Sequence, residues 1–553
     1  MKSRVKDIVE IGDRLFSTRG SLHSLWQEMA LNFYPERADF TTNRSLGAEF
    51  AEHLMTGNPS LARRDLANSL SSMLRPRGQP WFYARTKDES INKDQTSRMW
   101  LDRASDIQRN IMYDAKSRFI RATKEGDNDF ATFGQCAISV DLRRARDGLL
   151  YRCWHLRDVA WSENAELEVD QVHHNWKISA RDLIALYPDK VPATVKTAAE
   201  KEPFKEIKCR RVILPAEQYD LEKKSNRRAL PYVSLLVDIE NQVILDEGPA
   251  KRINYAIPRW QTVSGSQYAH SPASVIALPD ARLLQQITLT LLEAGQKVVD
   301  PPLIATREMI SGGVNTFAGG ITWVDAEYDE RLGEVLRPMT TDAKGLNWGV
   351  DREERIQQMI HKAFFLDQLG LPDLSGEKMT AYETRIRLEE YTRRALPLFE
   401  PMESEYNGAL CDMTFEIAME QGAFGSPFDM PPALRGQEVS FQFESPIQAA
   451  SKRANAQVFQ QSAQLLAIAA QIDQSAVHDF DVRTAFRDAL DGTGAPADWI
   501  VPKEKADQAA QAGQQEAAAQ AQVQNAIGNI SGGADAAHKV GQAAQQLQAA
   551  GVM

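Results

Sequence analysis

The chain has 553 residues, with 64 Lys and Arg against 75 Asp and Glu and a formal net charge of −11. With 43% hydrophobic and 25% charged residues it has room for about three or four domains and a sizeable core, which excludes whole-chain disorder and a disulfide scaffold. The acidic balance also excludes a tight nonspecific DNA clamp, which needs many Lys and Arg contacts to phosphate, but not the loose handling of DNA. Cys136, Cys153, Cys209 and Cys411 lie far apart with no CxxC. That pattern fits a reducing compartment and excludes a Cys-rich zinc module. No window approaches 18 uninterrupted apolar residues, and MKSRVKDIVEIGDRLFS carries charge throughout. The expectation is a chain without a transmembrane helix or signal peptide, made and kept in the cytoplasm.

Leu22, Leu25, Trp26, Met29 and Phe33 form the first apolar stripe at helical spacing, ended by Pro35. Ser60 is placed to cap a second helix, on which Leu66, Leu70, Met73 and Leu74 share a face. Pro76 stops it, and Pro80-Trp81-Phe82-Tyr83 follows as an aromatic anchor. A third helix is expected over Gln95–Lys124, with Trp100, Ala104, Ile107, Ile111 and Met112 inward. From Ala137 to Arg259 the runs YRCWHL, EVDQVHHNWKI, CRRVILP, YVSLLVDI and QVILDEG read as strands, with one helical insertion near Ala180–Tyr187.

Helix returns after Pro258. Pro279-Asp280 has the look of a start, proline in the first turn and an acid near the positive end of the dipole. Leu283, Ile287 and Leu291 repeat every four residues, and Pro301-Pro302 is a hard stop. Gly312-Gly313 and Gly319-Gly320 bracket VNTFA and suggest a hairpin before ITWV. Thr380-x-x-Glu383 is a capping box for a helix through Ile386, Glu390 and Arg394, which Pro397 and Pro401 kink or interrupt. The pattern resumes over Met402, Tyr406, Ala409, Met413 and Ile417, with Gly422 beyond. EVSFQFESP reads as a strand before a helical stretch from Ile447 to Asp473. Glu504–Met553 is rich in Ala and Gln and has no aromatic; such a segment is disordered or folds only against a partner.

Chemistry-bearing motifs are scarce. There is no GxxxxGK[ST] loop, which speaks against an autonomous ATPase, and no HExxH, GxSxG or GxGxxG with a suitable acid. His173-His174 raises a metal site, but neighbours on a strand point to opposite faces, so an ordinary packed or solvated pair is the better reading. Asp325, Glu327, Asp329 and Glu330 cluster beside Trp323; acid–base work or a hard cation is open, with a charged loop preferred. Pro372-Asp373 before Glu377-Lys378 is a faint nuclease-like set, but its Glu and Lys are adjacent, without the spacer that would align them. Arg143, Arg144 and Arg146 form a basic patch, solvated or phosphate-contacting. On the residues alone this is a large α+β protein with no catalytic signature, no cofactor motif and no metal set.

Three stretches carry more. PRWQTVSGSQYAHSPASVIALPDARLLQQITLTLLEAGQKVVDPPLIA resembles the head-to-tail connecting (portal) proteins of short-tailed bacteriophages. That family shows a Tyr, a Ser/Gly-Pro, an ALPD-like segment and a closing DPPL, here Tyr268, Ser271-Pro272, Ala277-Leu278-Pro279-Asp280 and Asp300-Pro301-Pro302-Leu303. Where the family commonly has Gly before Ser-Pro, this chain has Ala269-His270. KMTAYETRIRLEEYTRRALPLFEPMESEYNGAL is similar to the family's MTA-x-E-x-x-x-R helix, and RDLANSLSSMLRPRGQPWF to its N-terminal segment. The blocks keep family order over residues 20–450.

The resemblance implies a ring, usually of twelve subunits, at one capsid vertex, built from a wing, a helical stem, a β-containing clip and a helical crown. Carried onto this chain it gives 1–94 as N-terminal wing, 95–136 as first stem-type helix region and 137–258 as strand-rich wing and clip. Next come 259–302 as second stem helix, 303–368 as wing hairpin and helix, and 369–379 as tunnel loop. Residues 380–446 are then the long kinked wing helix and strand, 447–503 the crown and 504–553 the tail. It implies no enzymatic activity, with Asp373, Glu377 and Lys378 at the DNA channel and Gln285, Gln286 and Lys297 on a stem helix. The implied partners are further copies of the chain, double-stranded DNA in transit, terminase, tail adaptor or nozzle proteins, and capsid and scaffolding proteins, with internal ejection proteins at the tail and no membrane. The implied location is the virion portal vertex after assembly in the host cytoplasm. The rival readings are an adaptor or other virion ring protein that passes no DNA, and a DNA-processing enzyme. Many copies of a −11 chain around a bore would repel phosphate and let DNA slide.

Overall fold

A computed structural model describes residues 2–45, 47, 51–52, 54–219, 230–305, 336–338, 344–369, 402–426, 428–443, 459–469 and 480–493, with scattered positions between 471 and 520. They fall into two compact units, 1–83, 105–426 and 441–448 in the first and 84–104, 427–440 and 449–553 in the second. The chain runs through α1 (Lys2–Ser17), α2 (Gly20–Phe33), α3 (Asn58–Leu74), β1 (Phe82–Thr86), α4 (Glu89–Lys93), α5 (Gln95–Tyr113) and α6 (Phe119–Phe133). Next come β2 (Ala137–Leu142), β3 (Leu149–Trp154), β4 (Val159–Glu163), β5 (Val169–Ser179), α7 (Ala180–Leu186) and α8 (Ala193–Lys201). Strands β6 (Glu206–Pro215), β7 (Tyr232–Asp238), β8 (Val243–Ala250) and β9 (Tyr255–Ala256) follow, with a one-turn α9 (Ala216–Tyr219) after β6. The remainder is α10 (Pro272–Val299), β10 (Leu303–Ala305), β11 (Leu336–Pro338), α11 (Lys344–Ala363), α12 (Leu366–Leu369), α13 (Ala409–Glu420), β12 (Val439–Phe443) and α14 (Val482–Thr493). Helices and sheets in one chain make it α+β, as expected.

All five runs expected as strands are strands, β3 and β5 to β8. Four of them line up with β4 as a five-stranded antiparallel sheet in the order β4-β5-β6-β7-β8. The insertion at Ala180 is α7, with the Ser179 hydroxyl capping the Asp182 amide. Helix α1, not expected from the sequence, lays Val5, Ile8 and Val9 on Val212, Leu214, Leu235 and Val237 of that sheet. A smaller sheet, β3-β2-β9, joins the main core.

Three expectations need correction. The second helix starts at Asn58 behind Gly57, with Pro59 in its first turn, so Ser60 is inside the helix rather than its cap. The single helix expected over Gln95–Lys124 is two. The Asp114 carboxylate accepts the Lys116 amide, and the Ser117 hydroxyl bonds back to the Met112 and Asp114 carbonyls. These side chains offer the backbone a turn in place of the next helical bond. The helix expected to open at Pro279-Asp280 opens at Ser271-Pro272, because the Ser271 hydroxyl accepts the Ser274 amide and Pro272 fills the first turn. Pro279 then lies inside α10, on its exposed side.

The main core is aromatic. Trp26 meets Phe40, Phe133 and Tyr268 at ring distances of 5.4, 6.2 and 6.0 Å. Gly134 ends α6 in the left-handed conformation (φ 75°), and a Cβ there would run into the backbone of His270 and Ser271. None of the four cysteines is paired; burial raises the pKa of each thiol, Cys209 to about 12. In the second unit the Arg85–Asp102 ion pair (2.7 Å) and the Phe459–Phe486 ring contact (5.8 Å) are the clearest ties among the described residues.

Candidate assembly and channel elements

Helix α10 is anchored at its start by the motif residues. Tyr268 packs at a tilt against Trp161 with ring centres 4.6 Å apart, Ser271 donates to the Ala131 carbonyl at 2.8 Å, and the Ala269 amide donates to Gln135. Its first three turns bury Ala273, Ala277, Leu278, Ala281 and Leu284. Beyond them α11 lies alongside. A Cβ at Gly349 would touch Leu291, while Thr288 donates to Glu353 at 2.8 Å. As the α10 number falls the α11 number rises, so the two run antiparallel. Gln285 locks the pair to the body, accepting the Met55 and Thr56 amides and donating to the Thr56 carbonyl; Asn58 meets His361 at 3.2 Å.

Exposed apolar side chains recur along this pair, among exposed polar ones such as Arg282, Gln286, Glu293, Asp351 and Arg355. Ile276 is 63% exposed, Leu292 54%, Val299 86% and Trp348 72%, with Val275, Leu289, Val350 and Met359 also exposed. Such a run exceeds the singly scattered hydrophobics of an ordinary surface. Among the described residues α10 is the one helix long and apolar enough to cross a membrane by length and composition, but its opening turns are packed into the core. Of the stem residues expected from the resemblance, Gln285 is committed to Met55 and Thr56, whereas Gln286 and Lys297 are exposed. Asp373, Glu377, Lys378, the acidic cluster at Asp325, the Thr380 capping box, the paired glycines and most of the tail lie outside the described residues.

Chain order brings the segment after residue 401 into a buried polar cluster that sequence reasoning missed. Glu403–Gly408 is a π-helical stretch, a form that recurs where a helix must present unusual contacts. Its Tyr406 donates to Asp127 at 2.9 Å, and its Asn407 accepts from Arg75 at 2.9 Å. Arg75 also pairs with Asp127, both almost wholly enclosed. Burial alone would lower the pKa of Arg75; Asp127 beside it wins and holds the guanidinium charged. Burial raises the Tyr406 pKa, so its hydroxyl keeps its proton and stays a donor. Close by, Arg259 bridges Glu163 of β4 and Glu405 of the π-stretch. One signal was available: Asp127 falls on the inward stripe of α6 with Phe119, Ala122, Phe130 and Phe133.

The other chemical candidates dissolve into structure. His173 and His174 point to opposite faces as expected, both buried, His174 bonded to the Tyr255 hydroxyl at 2.9 Å and His173 to Gln171. Burial lowers both pKa values to about 3, so both rings are neutral. No group of three or more His, Cys, Asp or Glu side chains suited to a metal exists among the described residues.

The family model for bacteriophage head to tail connecting protein matches residues 6–501. A probable portal protein of Bordetella phage BPP-1 is 24% identical over 541 residues, covering 96% of this chain and 94% of that one. The portal protein of Salmonella phage epsilon15 is 21% identical over 502 residues, 89% and 88% of the two chains. End-to-end matches to proteins named portal favour that reading over a virion adaptor. The chain belongs to the bacteriophage head-to-tail connecting protein family, structural and non-enzymatic components of the virion portal where capsid meets tail.

Proposed function

We propose that the chain closes into a homo-oligomeric ring, of twelve copies on the family's pattern, that conducts double-stranded DNA into and out of the capsid. The observation that carries the ring is the set of exposed apolar side chains along α10 and α11, Ile276, Leu292, Val299 and Trp348 among them, for which a neighbouring copy is the cover. In this reading residues 95–136 and 259–302 are the stem-type helix regions, 137–258 the strand-rich wing and clip, and 303–368 part of the wing. Residues 369–379 are the tunnel loop, where Lys378 repeated by symmetry makes a cationic ring in a negative bore, flanked by Asp373 and Glu377. Its contacts with phosphate are brief and weakened by salt. An ATP-driven terminase docks to the ring, in line with a sequence lacking a phosphate loop, and tail, capsid and scaffolding proteins bind its outside. Residues 504–553 engage scaffold or internal ejection proteins, and assembly takes place in the host cytoplasm.

Native mass spectrometry with negative-stain images down the ring axis tests this. A closed ring with a central hole wide enough for a duplex is expected; monomer alone under assembly conditions sinks it. Lys378→Glu is expected to impair DNA packaging or retention in rings that still assemble.

A further inference from the structure

One charged feature is left unused by this reading. Residues 116–124, at the turn from α5 into α6, and 143–147, at the tip of the β2–β3 hairpin, carry seven basic side chains against one acid, Asp147, in a chain whose net charge is −11. Asp147 ties the two segments together, meeting Lys116 at 3.0 Å and Arg143 at 3.1 Å, while the Tyr151 amide bonds to the Ser117 carbonyl at 2.8 Å. Arg121 is matched by Glu125 at 2.9 Å. That leaves Arg118, Lys124, Arg144 and Arg146 exposed and without an ion-pair partner among the described residues. A shallow cavity of about 490 Å³ opens beside them, with Arg118, Arg121 and Lys124 against Asp114 and Glu125 in its wall and Tyr113 and Phe119 as its apolar lining.

The backbone adds a second, independent observation. Arg118 (φ 60°) and Arg146 (φ 53°) are two of five non-glycine residues in the left-handed region among those described. That region favours Gly and Asn and disfavours long side chains. Arginine stands at both positions at a conformational cost, which is how residues retained for their side-chain chemistry present themselves. Most of the seven cations are arginines, whose planar forks match phosphate oxygens in pairs.

We propose that this corner, centred on Arg118, Lys124, Arg144 and Arg146, is a second binding site for the phosphate backbone of duplex DNA, distinct from segment 369–379. It rests on the reading that the assembled chain handles duplex DNA. Arginine forks at the hairpin tip beside a wall that is net basic suit a row of phosphates, whereas an acidic protein segment would meet the same charges without using the fork geometry.

The test uses the full chain and a fluorescent 30-bp duplex, titrated across salt concentrations. Glycine accepts positive φ, so Arg118→Gly with Arg146→Gly removes two charges without straining the backbone, and its melting temperature should be unchanged or raised. Binding is expected to weaken about tenfold, and the slope of log K against log salt to fall by about two, near 0.9 per lost phosphate contact. Arg118→Lys with Arg146→Lys, which keeps the charge and loses the fork, is expected to keep the salt slope while losing part of the affinity, and inorganic polyphosphate to compete. Binding that survives the double glycine variant overturns this proposal alone, whatever Lys378→Glu does. So does poly-glutamate competing as well as polyphosphate, which would assign the patch to an acidic protein. A wild-type chain that binds no duplex overturns both this site and the conduit reading.

Discussion

Two regions of the first unit solve opposite problems. Around the π-helical stretch the body encloses charge, with Arg75, Asp127, Tyr406 and Asn407 bonded to one another out of water. Along α10 and α11 the chain does the reverse and leaves Ile276, Leu292, Val299 and Trp348 in the open. The first arrangement is complete within one chain, since each buried charge already faces its counterpart. The second is incomplete, since apolar area stabilises only when something covers it. What folds the chain and what it leaves for a partner to cover are thus written in different chemistry on neighbouring elements.

The sharpest way to break the contrast is Arg75→Ala, which strands Asp127 in the core. Removing one partner of a buried pair costs about 3–5 kcal/mol, to be read from urea denaturation. Replacing both, Arg75→Met with Asp127→Leu, should recover most of that loss. Gly134→Ala comes next, at about 2 kcal/mol or more, because the left-handed position alone costs ~1–2 kcal/mol before the collision with His270.

A pH series probes the buried side further. His173 and His174 have folded pKa values of about 3, below the unfolded value. Unfolding therefore takes up protons below about pH 6.5, and stability should fall as pH drops from there towards 3. The slope is at most ~1.4 kcal/mol per pH unit for each histidine, measurable by denaturation at fixed pH steps. Gln285→Ala should cost about 1 kcal/mol by releasing residues 55–56 from α10. The smallest stability effect per site belongs to Ile276→Asp with Leu292→Asp and Trp348→Asp, within about 0.5 kcal/mol for each exposed site. That triple change should nonetheless abolish assembly by size-exclusion chromatography. If the oligomer persists, the open face is not the subunit contact.

Much of this was legible beforehand, and the failures have physical causes. The strand runs from Leu149 to Ala250 declared themselves because alternation and turn residues agree there. Pro279-Asp280 misled because a proline and an acid satisfy the rule for a helix start, while the real start, Ser271-Pro272, carries the same signature with a hydroxyl that reaches the Ser274 amide. The break at Asp114–Arg118 hid inside a continuous apolar rhythm. Only the turn-forming oxygens of Asp114 and Ser117 gave it away. The Arg75–Asp127 pair was out of reach because its halves lie 52 residues apart in sequence, and no local periodicity links them. The channel residues came from family likeness alone, and they lie outside the described residues.

The four unpaired thiols turn the protein into its own opening gauge. With every pKa raised by burial, the folded chain holds its sulfurs as thiols, and thiolate-seeking reagents find little to attack. Cys209 lies in the packing of the five-stranded sheet against α7 and α8, while Cys136 and Cys411 lie in the main core. Alkylation followed by peptide mapping would therefore time-stamp which part of a subunit loosens first, without a single engineered label.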